Sequence, residues 1–302
     1  MIAISSDSQN CPLCGSSVFR LAWQKNDATY VRCETCSLVY QNPQPTAEQL
    51  KRLYREDYYV KSSPEVDCVG YDDYAVSNDA HLARKLFAPI GDLGPGGQRT
   101  FLDIGCATGN VLELARAHGW QATGLEISSW AAERARAKGF VICEKPIEEC
   151  GFTENAFDAI TLFDVIEHLP DPVQTLRAIY RTLKPGGRLF IQTPNIDGVD
   201  VKYVHGVDSI VLQPRAHLVL FTKKTLCAAL EKSGFVVHSM RFSPKFGFFA
   251  TYSRRVIKQI LHRYHYRLFG VSLRRYFSEP DRIDIPTFTF NDDIRAVAGK
   301  SS

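Results

Sequence analysis

Residues 100–110 read TFLDIGCATGN: an apolar strand that carries one aspartate near its end, a turn bearing two glycines, and the start of an apolar helical pattern. In α/β proteins this arrangement holds an adenosine-bearing ligand, so which ligand it suits decides how the rest is read. A dinucleotide turn reads G-x-G-x-x-G, with glycines that let the backbone close on a pyrophosphate. Here Gly105 and Gly109 flank Cys106-Ala107-Thr108, and that spacing is not met. Asp103, two residues before the first glycine, supplies a second argument. A carboxylate there repels a pyrophosphate and attracts a cation. S-adenosylmethionine (SAM) carries an ammonium and a sulfonium, and its own carboxylate suits the helix N-terminus that follows. Glu126, 21 residues after Gly105, stands where a carboxylate accepts both ribose hydroxyls, a feature common to NAD and SAM sites.

From residue 100 onward, short apolar runs alternate with helical patterns. TFLDI, QATGLEI, FVIC, DAITLF, RLFIQT and FVVHSMR read as strands. ARAHG, AAERARAKG, LRAIYRTLKPGG and LCAALEKSG read as helix ends, several of them stopped by glycine. The alternation predicts a doubly wound α/β domain whose ligand lies over the carboxyl ends of parallel strands.

The N-terminal segment has a different chemistry. Cys11 and Cys14 form one C-x2-C pair, and Cys33 and Cys36 form another after 18 intervening residues. Doubled pairs at this gap match a tetrahedral Zn2+ site of structural type, and the VFRLAWQ and TYVRC runs between them predict a small zinc ribbon. Residues 1–36 hold three basic and three acidic residues, which gives no electrostatic footprint for nucleic acid. The other five cysteines (68, 106, 143, 150 and 227) lack metal spacing and are read as packing residues. The first ten residues carry no export signal, so a cytoplasmic chain without disulfides is expected.

The 302 residues have an ordinary globular composition, 45% hydrophobic and 23% charged, with a net charge of +3 that is unevenly spread. Residues 232–278 contain ten basic side chains and no acidic one, whereas the preceding 231 residues lean acidic. Within this stretch, Val256, Ile260, Tyr264 and Leu268 recur at fourfold spacing among arginines and lysines. That is a basic amphipathic helix, suited either to docking on its own sheet or to an anionic partner. Residues 253–277 are the candidate for peripheral contact with an anionic membrane at the inner face.

Four blocks, LDIGCATGN, GLEIS, FDAITLFDVIEHLPDP and LKPGGRLFIQTPN, together resemble the class I SAM-dependent methyltransferases over roughly residues 70–300. The resemblance implies a mostly parallel, seven-stranded Rossmann-like sheet, with DDIRAVAGK (292–300) as an antiparallel strand between the fifth and sixth parallel-order strands. It implies that Asp103, Gly105 and Gly109, with Cys106 and Ala107 between them, hold the methionine part of SAM. Glu126 is then the ribose ligand, Ile127 and Ile147 lie at the adenine, and Phe163 and Asp164 close over the cofactor. Ala107 stands where the family often has a further glycine. Together with the ribbon and HLVLFTKKTLCAALEKSGF, the chain is similar to bacterial methyltransferases of glycan and secondary-metabolite pathways. The implied organisation is a ribbon over 1–45, a helical connector or lid over 46–90, and a methyltransferase domain over 91–302 with a basic insertion at about 244–280.

Methyl transfer needs alignment of nucleophile, methyl and sulfur, and a hydroxyl acceptor also benefits from a base that works near neutrality. His168, His205 and His217 fall in the right territory, with Glu167 beside the first, and residues 196–221 are placed to cover a small-molecule or glycan substrate. RNA methylation and a non-catalytic scaffold of the same fold are the alternatives. The neutral ribbon argues against the first, and the intact Asp103, Gly105, Gly109 and Glu126 set argues against the second.

Overall fold

The protein is described by a computed structural model covering residues 9–46, 48–50, 98–198, 201, 209, 211–214, 216–248 and 288–301. His205, the basic segment 253–277 and most of the 46–90 connector lie outside the described residues.

The N-terminal segment forms a hairpin of β1 (Phe19–Lys25) and β2 (Ala28–Cys33), followed by β3 (Val39–Gln41). The two-residue turn between β1 and β2 begins on Asn26 at φ 53°, a left-handed conformation that asparagine tolerates. Each C-x2-C pair sits on a turn at one end of this small sheet. Where the connector begins, Thr46 and Gln49 exchange backbone–side-chain hydrogen bonds of 2.7 and 3.3 Å, a reciprocal N-cap.

The body begins with β4 (Arg99–Ile104), which alternates strictly: Phe101 faces one side of the sheet, Leu102 and Ile104 the other, and all three are buried. The chain continues through α1 (Asn110–Ala117), β5 (Trp120–Leu125), α2 (Ser129–Ala137), β6 (Val141–Cys143), β7 (Phe157–Phe163), α3 (Pro172–Thr182) and β8 (Leu183–Pro194). After β9 (Val219–Leu220) come α4 (Lys223–Lys232), β10 (Val236–Phe248) and β11 (Phe288–Gly299). The larger sheet has seven strands in the order β10-β11-β8-β7-β4-β5-β6. β4 pairs in parallel with both β5 and β7, so the strand order reverses beside it and its carboxyl end marks the switch point. β11 runs antiparallel between β8 and β10, which is the place expected for DDIRAVAGK.

Both faces of the sheet are covered. Leu112, Ala115, Ala132 and Ala135 of α1 and α2 pack on the Phe101 face, while Leu176, Ile179 and Leu226 of α3 and α4 pack on the Leu102 face. Helix α3 starts on Asp171, whose carboxylate accepts the Gln174 N–H at 2.9 Å, with Pro172 in the first turn. Helix α4 starts on a reciprocal cap between Thr222 and Thr225. The ribbon is not detached from this body. Its β3 pairs antiparallel with β9, and Cys11, Leu13, Cys33 and Leu38 join the same apolar core as Leu102 and Leu226.

Three sequence expectations need correction. The LKPGG segment does not end a helix: α3 stops at Thr182, and Leu183 is extended and pairs beside Phe157 as β8 begins. The start of the expected basic insertion, residues 244–248, belongs to β10 and pairs with β11. Cys143 and Cys150, read as packing residues, form a disulfide. They close the short loop after β6, which brings their Cα atoms to 6.1 Å, inside the range a disulfide bridges. An argument from cellular compartment carries no information about such local geometry.

Ile294 is fully buried in the core from the last strand. Ile294→Ala is expected to lower unfolding free energy by about 2–4 kcal/mol in urea titrations, and a loss under about 0.5 kcal/mol would show that the C-terminal strand is not part of the cooperative core.

Candidate active site

The carboxyl ends of β4 and β5 bring two acids together. Asp103, opposite Thr161 of β7 and Gly124 of β5 in the sheet register, is 3% exposed. The Thr161 hydroxyl donates to its Oδ1 at 2.6 Å. Glu126, also buried, follows β5 and accepts the Ala107 N–H at 3.0 Å on Oε2 and the Ser128 N–H at 2.8 Å on Oε1. Two backbone donors fix its carboxylate plane against the turn after β4. Burial pushes the Asp103 carboxyl up to about 7; the Thr161 hydroxyl pulls it back and the neighbouring Glu126 charge raises it further. A buried pair of acids that burden each other in this way suits a cation.

The turn is shaped for this placement. Gly105 has φ +74°, and a Cβ there would lie 2.4 Å from Val165 Cγ2, so the close approach of the β7 loop requires glycine. Ala107, at φ 46°, holds a conformation usually left to glycine, and its N–H is the one that meets Glu126. Gly109 leads into α1, whose first-turn N–H groups face the same end of the sheet. Cys106 is a packing residue: its Sγ fills the space beside Gly124, where a Cβ would lie 2.5 Å away. Ile147 is buried on the 3-10 turn after β6, whereas Ile127 is 50% exposed at the mouth beside Glu126. Phe163 ends β7. Asp164 after it has φ 51° and accepts Gln192 Nε2 at 3.2 Å, while Gln192 Oε1 accepts Arg295 Nε at 2.8 Å. Thr161, Gln192 and Arg295 were not singled out in the sequence. Thr161 fits an ordinary strand pattern, and its role shows only in the register that sets it opposite Asp103.

A second group lies over the ends of β7 and β8. His168 closes the 3-10 turn Ile166–His168, with its Nδ1 2.8 Å from the Ala216 carbonyl. A carbonyl only accepts, so that nitrogen carries the proton and Nε2 is the basic nitrogen of the neutral ring. Burial holds the ring's pKa below its ordinary value, against the opposing pull of the Ala216 carbonyl and Asp164. His217 uses its Nδ1 in the same way, 2.8 Å from the Val211 carbonyl, and the two rings meet edge to face at 4.8 Å. Glu167 accepts the Thr193 hydroxyl at 2.9 Å, and its other oxygen is 3.9 Å from His168 Nε2. The ligand atoms of Glu167, His168 and His217 all lie within 4.8 Å of one another. One carboxylate and two imidazoles at this range can pass a proton, and their donor set is also one that divalent cations accept.

The four ribbon cysteines converge as their spacing predicts. Cys11 and Cys36 sulfurs are 3.5 Å apart, as are Cys14 and Cys33, and all four lie within 4.8 Å of one another. A tetrahedral zinc with Zn–S of about 2.3 Å sets sulfur–sulfur edges of about 3.8 Å, so the donor set fits. Burial raises the Cys11 and Cys36 thiols, the latter to about 11, while at Cys33 the Cys36 backbone hydrogen bond and neighbouring thiol outweigh burial and pull it to about 7.

With this geometry in view, likeness to known proteins becomes informative. The family described as methyltransferase domain matches residues 78–240, more than half of the chain. The chain belongs to that methyltransferase family. A ubiquinone biosynthesis O-methyltransferase of Aeromonas salmonicida is 29% identical over 154 residues, covering 47% of this chain and 65% of that protein. A protein of the same name from Xanthomonas oryzae pv. oryzae is 34% identical over 101 residues, covering 31% of this chain and 42% of that one. The methyltransferase-family chain thus spans less than two thirds of these relatives' length. Among solved structures, a SAM-dependent methyltransferase from Archaeoglobus fulgidus has TM-score 0.50 and 19% identity, covering 76% of this chain and 98% of that one. One from Leishmania major has TM-score 0.51 and 13% identity, covering 83% and 82%. At these identities the likeness is one of fold. Among the described residues, no helix is long and apolar enough to cross a membrane.

The Asp103 geometry predicts a pH effect. Its folded value of about 7 lies above the ordinary 3.8, so its favourable contribution to stability is present below 3.8 and lost as pH rises through 7. A cationic ligand prefers the ionised form, so SAM affinity is expected to rise about tenfold between pH 5.5 and 7.5 in calorimetry, with proton release at the acid end. Asp103→Asn should bind SAM at least about tenfold more weakly at pH 7.5 and lose the pH dependence, while the variant without ligand is no less stable at pH 8. An unchanged affinity in Asp103→Asn would contradict this account of the site.

Proposed function

We propose that the chain is a SAM-dependent methyltransferase acting on a hydroxyl of a sugar, glycan precursor or small metabolite. The observation that carries this reading is the buried Asp103–Glu126 pair at the ends of adjacent parallel strands, beside a helix N-terminus and a turn that admits only small residues. When bound, SAM supplies a methyl group made electrophilic by a cationic sulfur. Asp103 offers the ammonium a negative partner, and Glu126, oriented by two amides, offers oxygens to the ribose hydroxyls. His168, kept neutral at pH 7 by burial, accepts the proton of the acceptor hydroxyl, with Glu167 and His217 close enough to stabilise the imidazolium that forms.

The oxygen acceptor is supported by the histidine pair, since a hydroxyl nucleophile gains from a base, and by the similarity to two proteins named as O-methyltransferases. A structural zinc ion in the Cys11, Cys14, Cys33 and Cys36 cluster is supported by the fit of four convergent sulfurs. The basic segment 253–277 supports contact with an anionic membrane or a phosphate-bearing acceptor. The charge balance of the ribbon does not favour RNA.

Methyl-labelled SAM incubated with the chain and a lysate split into glycans, lipids, RNA and small metabolites tests the reading. Label is expected in the glycan or small-metabolite fraction, and label confined to RNA would overturn it. On that acceptor His168→Gln should cut the rate by about 10²–10⁴-fold with SAM affinity retained, and the wild-type rate should rise to a plateau with an apparent pKa below the ordinary histidine value.

A further inference from the structure

The ribbon reaches the histidine pair through one short segment. Strand β9 and the residues just before it form a strip with the ribbon on one side and the 3-10 turn of Glu167 and His168 on the other. On the turn side, the Leu218 N–H donates to the Glu167 carbonyl at 2.7 Å, and the Ala216 carbonyl lies 2.8 Å from His168 Nδ1. On the ribbon side, the Gln41 N–H donates to the Leu218 carbonyl at 2.8 Å, and β3 pairs with β9 through Val39↔Leu220 and Tyr40↔Val219. His217 stands between these contacts.

Tyr30 adds a fully buried contact to these. It lies on β2, three residues before Cys33, and its side chain is fully buried. Its hydroxyl donates to the His217 carbonyl at 2.9 Å and faces the Gln213 carbonyl at 3.2 Å. Burial holds the phenol above its ordinary range, so it stays a donor across the working pH. A purely apolar packing site would have no use for this hydroxyl. Two carbonyls of the His217 segment would lose their side-chain donor without it, since neither Phe nor a solvent molecule at a fully buried site replaces it without cost.

The ribbon is too small to hold such a strand by its own core. A segment of about 40 residues needs a metal, disulfide or partner to order it, and here the four cysteines at the strand ends act beside the β3–β9 pairing and the shared apolar core. The Lys232 ammonium also donates to the Leu13 carbonyl at 2.5 Å, tying the first cysteine knuckle to α4.

We propose that the four-cysteine ribbon is a positioning element for the His168–His217 pair, and that Tyr30 is the positioning residue that conveys its order to the His217 backbone. This rests on the reading of the histidine pair as the acceptor site and of the cysteines as metal ligands. The ribbon is thus a strut of the reaction centre, and its metal acts on the chemistry without approaching the substrate.

Amide hydrogen exchange of the full chain, followed with histidine-ring NMR, tests this in Tyr30→Phe and Cys36→Ser. Tyr30→Phe keeps the buried ring and removes only the donor. The amides of residues 216–221 should exchange roughly tenfold faster in it, with the His168 and His217 ring signals displaced and the β4 and β7 amides unchanged. Cys36→Ser should reproduce the same local pattern and extend it through β2 and β3. Unchanged protection of residues 216–221 in both variants would overturn the proposal. So would an equal loss of protection across β4, β7 and the 216–221 strip, because that is the signature of general destabilisation. SAM titration of the same samples should give a Kd within about twofold of wild type, since neither residue touches the Asp103–Glu126 pair. The coupling is read without ligand and the cofactor reading in the titration, so each can fail without the other.

Discussion

The constraint on which the rest depends is the burial of two like charges at one point of the sheet. Asp103 and Glu126 sit at the ends of neighbouring parallel strands, out of water, and burial together with the Glu126 charge makes the ionisation of Asp103 harder. The fold holds them with directed hydrogen bonds: a threonine hydroxyl on one, two backbone amides on the other. The turn beside them is tightly set: Gly105 must be glycine because Val165 approaches it, Ala107 takes a left-handed backbone that brings its N–H to Glu126, and Gly124 leaves room for the Cys106 sulfur. In the proposed reading, a cation completes the electrostatics of this site.

A second layer of order is built on the same sheet edge. The loop after β7 carries Asp164, Glu167 and His168, and each is tied down from a distant segment: Asp164 by Gln192, itself held by Arg295, Glu167 by Thr193, and His168 by the Ala216 carbonyl. The ribbon adds the last support through β9. The Asp103–Glu126 pair and the histidine pair therefore have separate scaffolds, one within the parallel strands and the other shared with the N-terminal segment.

Much of this was legible in the sequence where spacing alone carries the signal. The β4 turn, the C-x2-C pairs and the DDIRAVAGK strand are local patterns, and each stands where its pattern puts it. What escaped was set by register or by long-range pairing. Thr161 is an unremarkable strand residue until β7 places it beside Asp103. Tyr30 is an ordinary aromatic of a hairpin until β3 finds β9, nearly 180 positions later. The LKPGG segment carries helix-stop residues, yet pairing with β7 decides in favour of a strand. The Cys143–Cys150 bridge likewise depends on a loop shape that cysteine counting does not reveal.

The central claim is that the buried carboxylate pair selects a cationic adenosyl ligand over a dinucleotide. Equilibrium dialysis of the full chain against methyl-labelled SAM and against labelled NAD, at pH 7.5, tests this most directly. The account predicts saturable binding of SAM at one site per chain and no specific retention of NAD. Binding of NAD at comparable affinity, or no saturable binding of SAM, would contradict it.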